Sequence, residues 1–159
     1  MDDLLFTVTL VAALGCGLMA GLFFAFSVSV MKALARLPST ESIAAMQSIN
    51  VAIINPVFLT AFFGTTAACV LTAIASVLRW REPGALYLLI GGVLFLAGTF
   101  LVTLVFNVPR NRKLAAVAPT APEATGVWAH YLSEWTFWNH VRAAAALAAA
   151  TFLTIALCS

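Results

Sequence analysis

Charged residues are scarce in this chain. Eight Lys and Arg and six Asp and Glu occur among 159 residues, which is 9%, whereas a soluble domain carries about a quarter. This composition excludes a soluble globular domain. The basic residues form no dense patch, so we expect no nucleic-acid partner.

Residue types that bind metals or act as nucleophiles are also few. The three cysteines, Cys16, Cys69 and Cys158, fall inside apolar segments without CxxC spacing, and we predict packing residues with free thiols. Both histidines, His130 and His140, lie in one segment, which excludes a haem clamp between histidines of two helices. The sequence also lacks a dinucleotide fingerprint, a Walker loop and a nucleophile elbow. We therefore predict no metal site and no cofactor.

Apolar residues are abundant, at 63% of the chain. Four runs contain no charged residue: 4–31, 42–78, 83–109 and 143–159. A helix needs about 20 mostly apolar residues to cross roughly 30 Å of hydrocarbon. The fourth run reaches that length only if the aromatic turns of residues 135–141 lie in the headgroup layer. We predict an all-α integral membrane protein, a four-helix bundle forming a single domain over residues 1–159.

The predicted spans are residues 4–34, 56–78, 85–106 and 135–158, with both termini on one side. A short kinked helix over residues 40–54 leads into the second span, because Pro38 ends the first helix and the Asn55-Pro56 pair breaks the next one.

Small residues recur every four positions in the first span, at Ala13, Gly17, Gly21 and Ala25. This spacing places them on one helix face and allows close approach of a neighbouring backbone. We therefore predict that this face packs inside the bundle.

The basic residues are distributed unevenly between the two membrane sides. Six lie in the loops 32–55 and 107–134 or on the same membrane side, and two, Arg79 and Arg81, lie on the side of the termini. The positive-inside rule places those two loops in the cytoplasm of a cell whose plasma or inner membrane holds the protein. The lipid bilayer is the expected partner, and self-association as a homo-oligomer stays open.

Polar side chains collect at the predicted cytoplasmic end. Asn50 and Asn55 belong to the short helix before the second span, and Asn107 and Asn111 follow the third span. Amides in or near hydrocarbon are costly unless they are paired. Their convergence from separate segments predicts a polar, aromatic-lined cavity.

The last helix carries Trp135, Trp138, Asn139 and Arg142 at offsets of 0, 3, 4 and 7, which places them on one face about 100° wide. Tyr131 joins this face if the helix begins early enough. An aromatic wall with an amide and a cation suits a flat, apolar, oxygen-bearing molecule. An aromatic belt with an arginine that caps helix carbonyls is the alternative, and it stays open.

Four groups of residues together resemble the anthrone-oxygenase-like family of small integral membrane proteins. They are Phe26-Ser27-Val28-Ser29-Val30-Met31, Met46-Gln47-Ser48-Ile49-Asn50 followed by Asn55-Pro56, Asn107-x-Pro109-x-Asn111, and Trp135-x-x-Trp138-Asn139-His140-Val141-Arg142. The resemblance covers almost the whole chain and implies a four-span fold. In characterised relatives it implies oxidation of an anthrone to an anthraquinone by dioxygen, without an obvious metal or flavin.

The resemblance also implies where the site lies. We assign Arg142, Asn139 and His140 as catalytic: the first two would stabilise an enolate oxygen, and His140 is the one neutral base nearby, although an ideal helix directs it about 100° away from Asn139. The predicted substrate-binding residues are Asn50, Asn55, Asn107, Asn111, Tyr131, Trp135 and Trp138, and the predicted partner is a small lipophilic aromatic substrate.

Two functions of other classes remain open. The chain could bind or transport a small lipophile without turnover. It could instead be a helper subunit of a membrane complex, with no activity of its own.

Overall fold

The computed structural model describes residues 2–159, and within them the chain forms helices and no strand. The five helices are α1 (Asp3–Leu34), α2 (Ser39–Ala52), α3 (Pro56–Leu78), α4 (Ala85–Ala115) and α5 (Ala124–Leu157). All but α2 are long and apolar enough to cross a membrane. The prediction of an all-α membrane bundle with a short helix before the second span is therefore confirmed.

Side chains and prolines set several helix boundaries. The Asp2 carboxylate accepts a hydrogen bond from the Leu5 N–H at the start of α1, and it also pairs with Arg79. These two contacts hold the pKa of the Asp2 carboxyl below its usual value. At the start of α3, Asn55 Oδ1 accepts from the Phe58 N–H at 3.0 Å, while Pro56 occupies the first turn, where its missing N–H has no consequence.

Two predicted spans are longer in the structure. The sequence predicts a third span of residues 85–106, but α4 continues through Pro109 to Ala115. Wide π-helical turns at Thr103–Asn107 directly precede Pro109, and their altered hydrogen bonding makes room for a residue that cannot donate. The predicted last span of residues 135–158 corresponds to α5, which begins eleven residues earlier, at Ala124, and ends at Leu157.

The bundle has two ends. The termini and the turn of residues 79–84 lie at the terminal side, whereas α2 and the loop of residues 116–123 lie at the loop side. Between them is a core to which all four long helices contribute, for example through Cys16, Phe62, Phe95 and Leu153. Large apolar side chains remain exposed on every long helix, as expected for a surface that contacts lipid.

A second set of buried side chains closes the loop side, and we call it the loop-side cluster. Its members are Met31, Leu34, Ile43, Met46, Leu114, Ala124, Trp128, Tyr131 and Trp135. Gln47 fastens α2 to this region, because its Nε2 donates to the carbonyls of Leu114 and Val117, both at 2.9 Å.

The prediction that the small-residue face of the first span packs inside the bundle is wrong. Gly17 and Gly21 are exposed, and a Cβ at either position would meet no atom within 4 Å. Close approach occurs on α1 at Gly15, where a Cβ would clash with the Thr65 side chain, and on α4, where a Cβ at Gly92 would lie 2.8 Å from the Cys69 carbonyl oxygen. Which small residues serve packing depends on how each helix is rotated, and their spacing alone does not fix that rotation.

Candidate functional site

Arg142 is the most deeply buried charged residue of the described chain, with 6% of its surface exposed. Its Nη2 donates to Asn139 Oδ1, and its Nη1 donates to Thr103 Oγ1 at 3.2 Å. The guanidinium carbon lies 4.1 Å from the centre of the Phe23 ring and 5.4 Å from that of Trp135. The cation is therefore held between aromatic faces and two oxygen acceptors, an arrangement that offsets part of its desolvation cost.

Asn139 fixes the position of the arginine. Its Nδ2 donates to the Phe23 carbonyl and to Ser27 Oγ, both at 2.6 Å, while its Oδ1 accepts from Arg142. A π-helical segment begins at Phe26, three residues after the carbonyl that accepts from Asn139. Asn139 is fully buried and both ends of its amide are engaged, so it positions Arg142 and has no free atom for a ligand.

A cavity of about 240 Å³ lies beside this pair. Most of its lining is apolar, and its aromatic lining residues are Phe23, Phe26, Phe58, Phe62, Phe63 and Trp135. Its polar lining residues are Asn50, Thr103, Asn111 and Arg142. An apolar cavity with a few convergent polar groups is the usual form of a small-molecule site.

Two donors of the lining residues lack a hydrogen-bond partner among the described residues: Trp135 Nε1 and Arg142 Nε. The Asn50 side chain lies beside the Tyr131 hydroxyl, which itself donates to Asn111 Oδ1 at 2.9 Å. Buried donors without partners cost free energy that a ligand acceptor recovers. The site is therefore suited to a ligand that presents oxygen acceptors.

The structure brings several predicted site residues together. Asn50, Asn111, Trp135 and Arg142 line the cavity. Tyr131 lies just behind them: its ring centre is 6.0 Å from that of Trp135, and its hydroxyl holds Asn111. These five residues come from α2, α4 and α5, so the predicted convergence of separate segments is present.

Asn55, Asn107 and Trp138 also lie outside the cavity lining. Asn55 caps α3, and Asn107 is buried with its Nδ2 donating to the Trp135 carbonyl at 3.3 Å. Trp138 stacks on Phe106 with ring centres 3.6 Å apart. The expected inclusion of Asn107 and Trp138 in the cavity is thus corrected: Trp138 lies three positions after Trp135, which rotates it about 60° off the inward face.

His140 is exposed and lies in a shallow groove between α1 and α5, beside Gly17, Gly21 and Ala143. It does not line the cavity of Arg142. A role as the base that deprotonates a ligand in that cavity therefore has no support from its position.

Sequence reasoning did not identify Thr103 or the phenylalanines of the lining. A threonine in an apolar span normally bonds its own helix, as Thr103 does by donating to the Thr99 carbonyl at 2.7 Å. The available signal was the spacing of Thr99, Thr103 and Asn107, one polar residue every four positions. In wide π-helical turns this spacing keeps the three side chains towards α5.

An ion pair lies at the loop-side surface, outside the cavity. The Arg110 guanidinium pairs with Glu134, with Nε 2.9 Å from Oε2, and His130 Nε2 lies 3.6 Å from the same carboxylate oxygen. Among residues 2–159, no group of three or more His, Cys, Asp or Glu side chains comes together as a metal site would require.

The fold and the cavity define a membrane helix bundle with a buried site for a small apolar ligand. The model of the anthrone oxygenase family matches residues 57–152, which is more than half of the chain, and the protein belongs to that family. The matched region contains Thr103, Asn111, Trp135 and Arg142 of the cavity, while Phe23 and Asn50 lie before it. None of the curated proteins and none of the solved structures matches the chain.

Proposed function

We propose that this protein is a membrane-embedded oxygenase that oxidises a lipophilic, anthrone-like aromatic substrate with dioxygen. The observation that carries the proposal is the buried Arg142 guanidinium in an aromatic cavity, together with the unpartnered donors Trp135 Nε1 and Arg142 Nε. Membership of the anthrone oxygenase family supports the same reaction class.

The reaction needs little from the protein. The substrate methylene loses two hydrogens, one oxygen atom of dioxygen becomes the new carbonyl oxygen, and the other leaves as water with those hydrogens. Loss of the first proton gives an electron-rich enolate that reacts with dioxygen. Charge on the enolate oxygen is what Arg142 and the Trp135 N–H would stabilise, and fixed donors in a cavity that excludes water do this effectively.

The test is oxidation of anthrone by the purified protein in lipid nanodiscs. Dioxygen uptake and anthraquinone formation are measured together and should agree one to one, above the spontaneous rate in empty nanodiscs. Anthraquinone formation no faster than in empty nanodiscs would reject the oxygenase proposal.

Binding without turnover is the second candidate, and the lining of the cavity favours it. None of the residues that line the cavity is an aspartate, glutamate or histidine, so no lining side chain has the usual chemistry of a general base. A binding or transport module predicts saturable retention of anthrone and anthraquinone in nanodiscs, with no dioxygen uptake above the empty control.

We further propose that the loop side faces the cytoplasm. The support is the uneven distribution of basic residues, six against two, which the positive-inside rule relates to orientation. Labelling of single engineered cysteines in the loop of residues 116–123 by a membrane-impermeant maleimide should occur in inverted vesicles and not in intact cells.

A further inference from the structure

We infer that the ligand reaches the cavity sideways from the hydrocarbon of the bilayer, between α3 and α4, and that Phe63 and Leu104 form the mouth that selects it. The inference rests on the proposed function, because it concerns access to the same cavity.

The loop side of the cavity is closed to water. The loop-side cluster places Met46 of α2 against Met31, Leu114 and Trp128, all of which are buried. The two hydrogen bonds from Gln47 to α4 and the residues after it hold α2 across this end. A ligand arriving from the aqueous loop side would have to displace a packed apolar layer.

The opposite direction is also blocked. Below the cavity, the core of the bundle is filled, and Cys16, Cys69 and Phe95 have no exposed surface. The Sγ atoms of Cys16 and Cys69 are 3.6 Å apart across the interface of α1 and α3. No access route through the terminal side is present in this packing.

The cavity opens instead at its side. Three of its lining residues are well exposed, and all three are apolar: Ile54 (68%), Phe63 (52%) and Leu104 (46%). Phe63 lies seven residues after Pro56, so it is about 10 Å along α3 from the end of the helix. That depth falls within a hydrocarbon layer of about 30 Å. Phe63 therefore faces lipid chains.

The contrast between mouth and interior indicates the class of ligand. The rim offers only apolar contacts, whereas the unpartnered donors of Trp135 and Arg142 lie inside. A molecule suited to this path dissolves in hydrocarbon, carries no charge on arrival and advances with an oxygen-bearing edge first. A sulfonated or glycosylated aromatic would lose too much solvation to pass the rim.

The experiment narrows the mouth by enlarging its two side chains. The double variant Phe63→Trp with Leu104→Trp is compared with the double variant Leu71→Trp with Val93→Trp, which adds at least as much bulk at exposed positions of α3 and α4 outside the cavity lining. In nanodiscs, the mouth variant should lose about tenfold in kcat/KM for anthrone, because access to the cavity is slowed. The control variant should match the unaltered protein.

Three results would overturn the inference. One is an unchanged kcat/KM in the mouth variant, and another is an equal loss in the control. The third is a rise in kcat/KM for Gln47→Ala, which loosens the closed loop side and would reveal access from water. If the unaltered protein binds anthrone without oxidising it, the same variants are compared by association rate. If it neither binds nor oxidises anthrone, the proposed function fails and this inference fails with it.

Discussion

Arg142 shows how a single side chain shapes this protein. Insertion scales assign about 2.5–3.5 kcal/mol to an arginine at the centre of a spanning helix. The structure offsets this cost with Asn139, Thr103 and the faces of Phe23 and Trp135. One donor, Nε, remains without a partner. The two Nη atoms of Arg142 are thus held by protein oxygens, and its Nε donor is left for a ligand acceptor.

We expect Arg142→Lys to reduce anthrone turnover by about a hundredfold, the scale for loss of one preorganised donor to a developing oxyanion. An ammonium cannot bridge Asn139 and Thr103 and still present a donor to the cavity. Product formation and melting temperature are measured in parallel. Full turnover in a well-folded Arg142→Ala protein would remove Arg142 from the mechanism.

His140 provides a matched test on the same helix, two residues before Arg142. Because its side chain is exposed and outside the cavity, we expect His140→Ala to keep kcat for anthrone within about twofold, the range of a surface change remote from the chemistry. A loss comparable with that of Arg142→Lys would restore His140 as a catalytic base and would require a rearranged α5.

At the scale of the helices, the sequence predicts positions better than rotations. Uncharged runs together with Pro38 and Pro56 predicted α1 and α3 to within a residue at each end, because a proline marks where a helix ends or the next one begins. The wide turns of α4 were not predictable, since the residues of Leu96–Leu101 and Thr103–Asn107 are compatible with an ordinary helix. Those turns decide that Thr103 meets Arg142, so this part of the site required the structure.

The last helix shows the same limit within one motif. Trp135, Asn139 and Arg142 are buried as their shared face predicts, whereas Trp138 lies at the edge of that face and packs on Phe106. The sequence defines which residues share a face about 100° wide. Whether a residue at the edge of that face points into the cavity or packs on a neighbouring helix depends on how the helices pack together.

The glycines of α4 allow a stability test between helices. We expect Gly92→Ala to lower the melting temperature, with a cost of about 1–3 kcal/mol, because the added methyl would meet the Cys69 backbone at 2.8 Å and push α3 from α4. Gly17→Ala is the control, since its methyl meets nothing within 4 Å. Equal melting temperatures for the two variants would contradict the close approach of α3 and α4.

The whole molecule holds its two termini at one end. Asp2 pairs with Arg79 in the turn between α3 and α4, and a Cβ at Gly84 in the same turn would lie 3.3 Å from Ser159 Cβ. The membrane must therefore be crossed an even number of times if these contacts form in the bilayer.

Cysteine labelling checks this arrangement. Cys158 is exposed near the C-terminus, and Asp2→Cys places a second thiol near the N-terminus in a Cys158→Ser background. A membrane-impermeant maleimide should label both from the same side of sealed vesicles. Labelling from opposite sides would mean an odd number of spans.

We also expect turnover to need no added metal or flavin. The sequence has no nucleotide fingerprint and no metal-ligand spacing. Anthrone oxidation should survive exhaustive treatment with a chelator, and the active protein should contain less than stoichiometric metal and show no flavin absorbance. Activity that falls with the chelator and returns with a single metal would contradict this expectation.

The pairing of the first and last helices has a consequence for biosynthesis. α1 packs along α5, and α2 is covered by residues of α4 and α5. The ribosome synthesises residues 35–123 after α1 and before α5. This interval lasts on the order of ten seconds at ordinary rates of synthesis. During that time Arg142 is not yet made, and the Phe23 carbonyl and Ser27 hydroxyl lack the Asn139 amide that satisfies them. The site is therefore assembled last, and a nascent chain stalled before Ala124 would present an open polar seam to the insertion machinery.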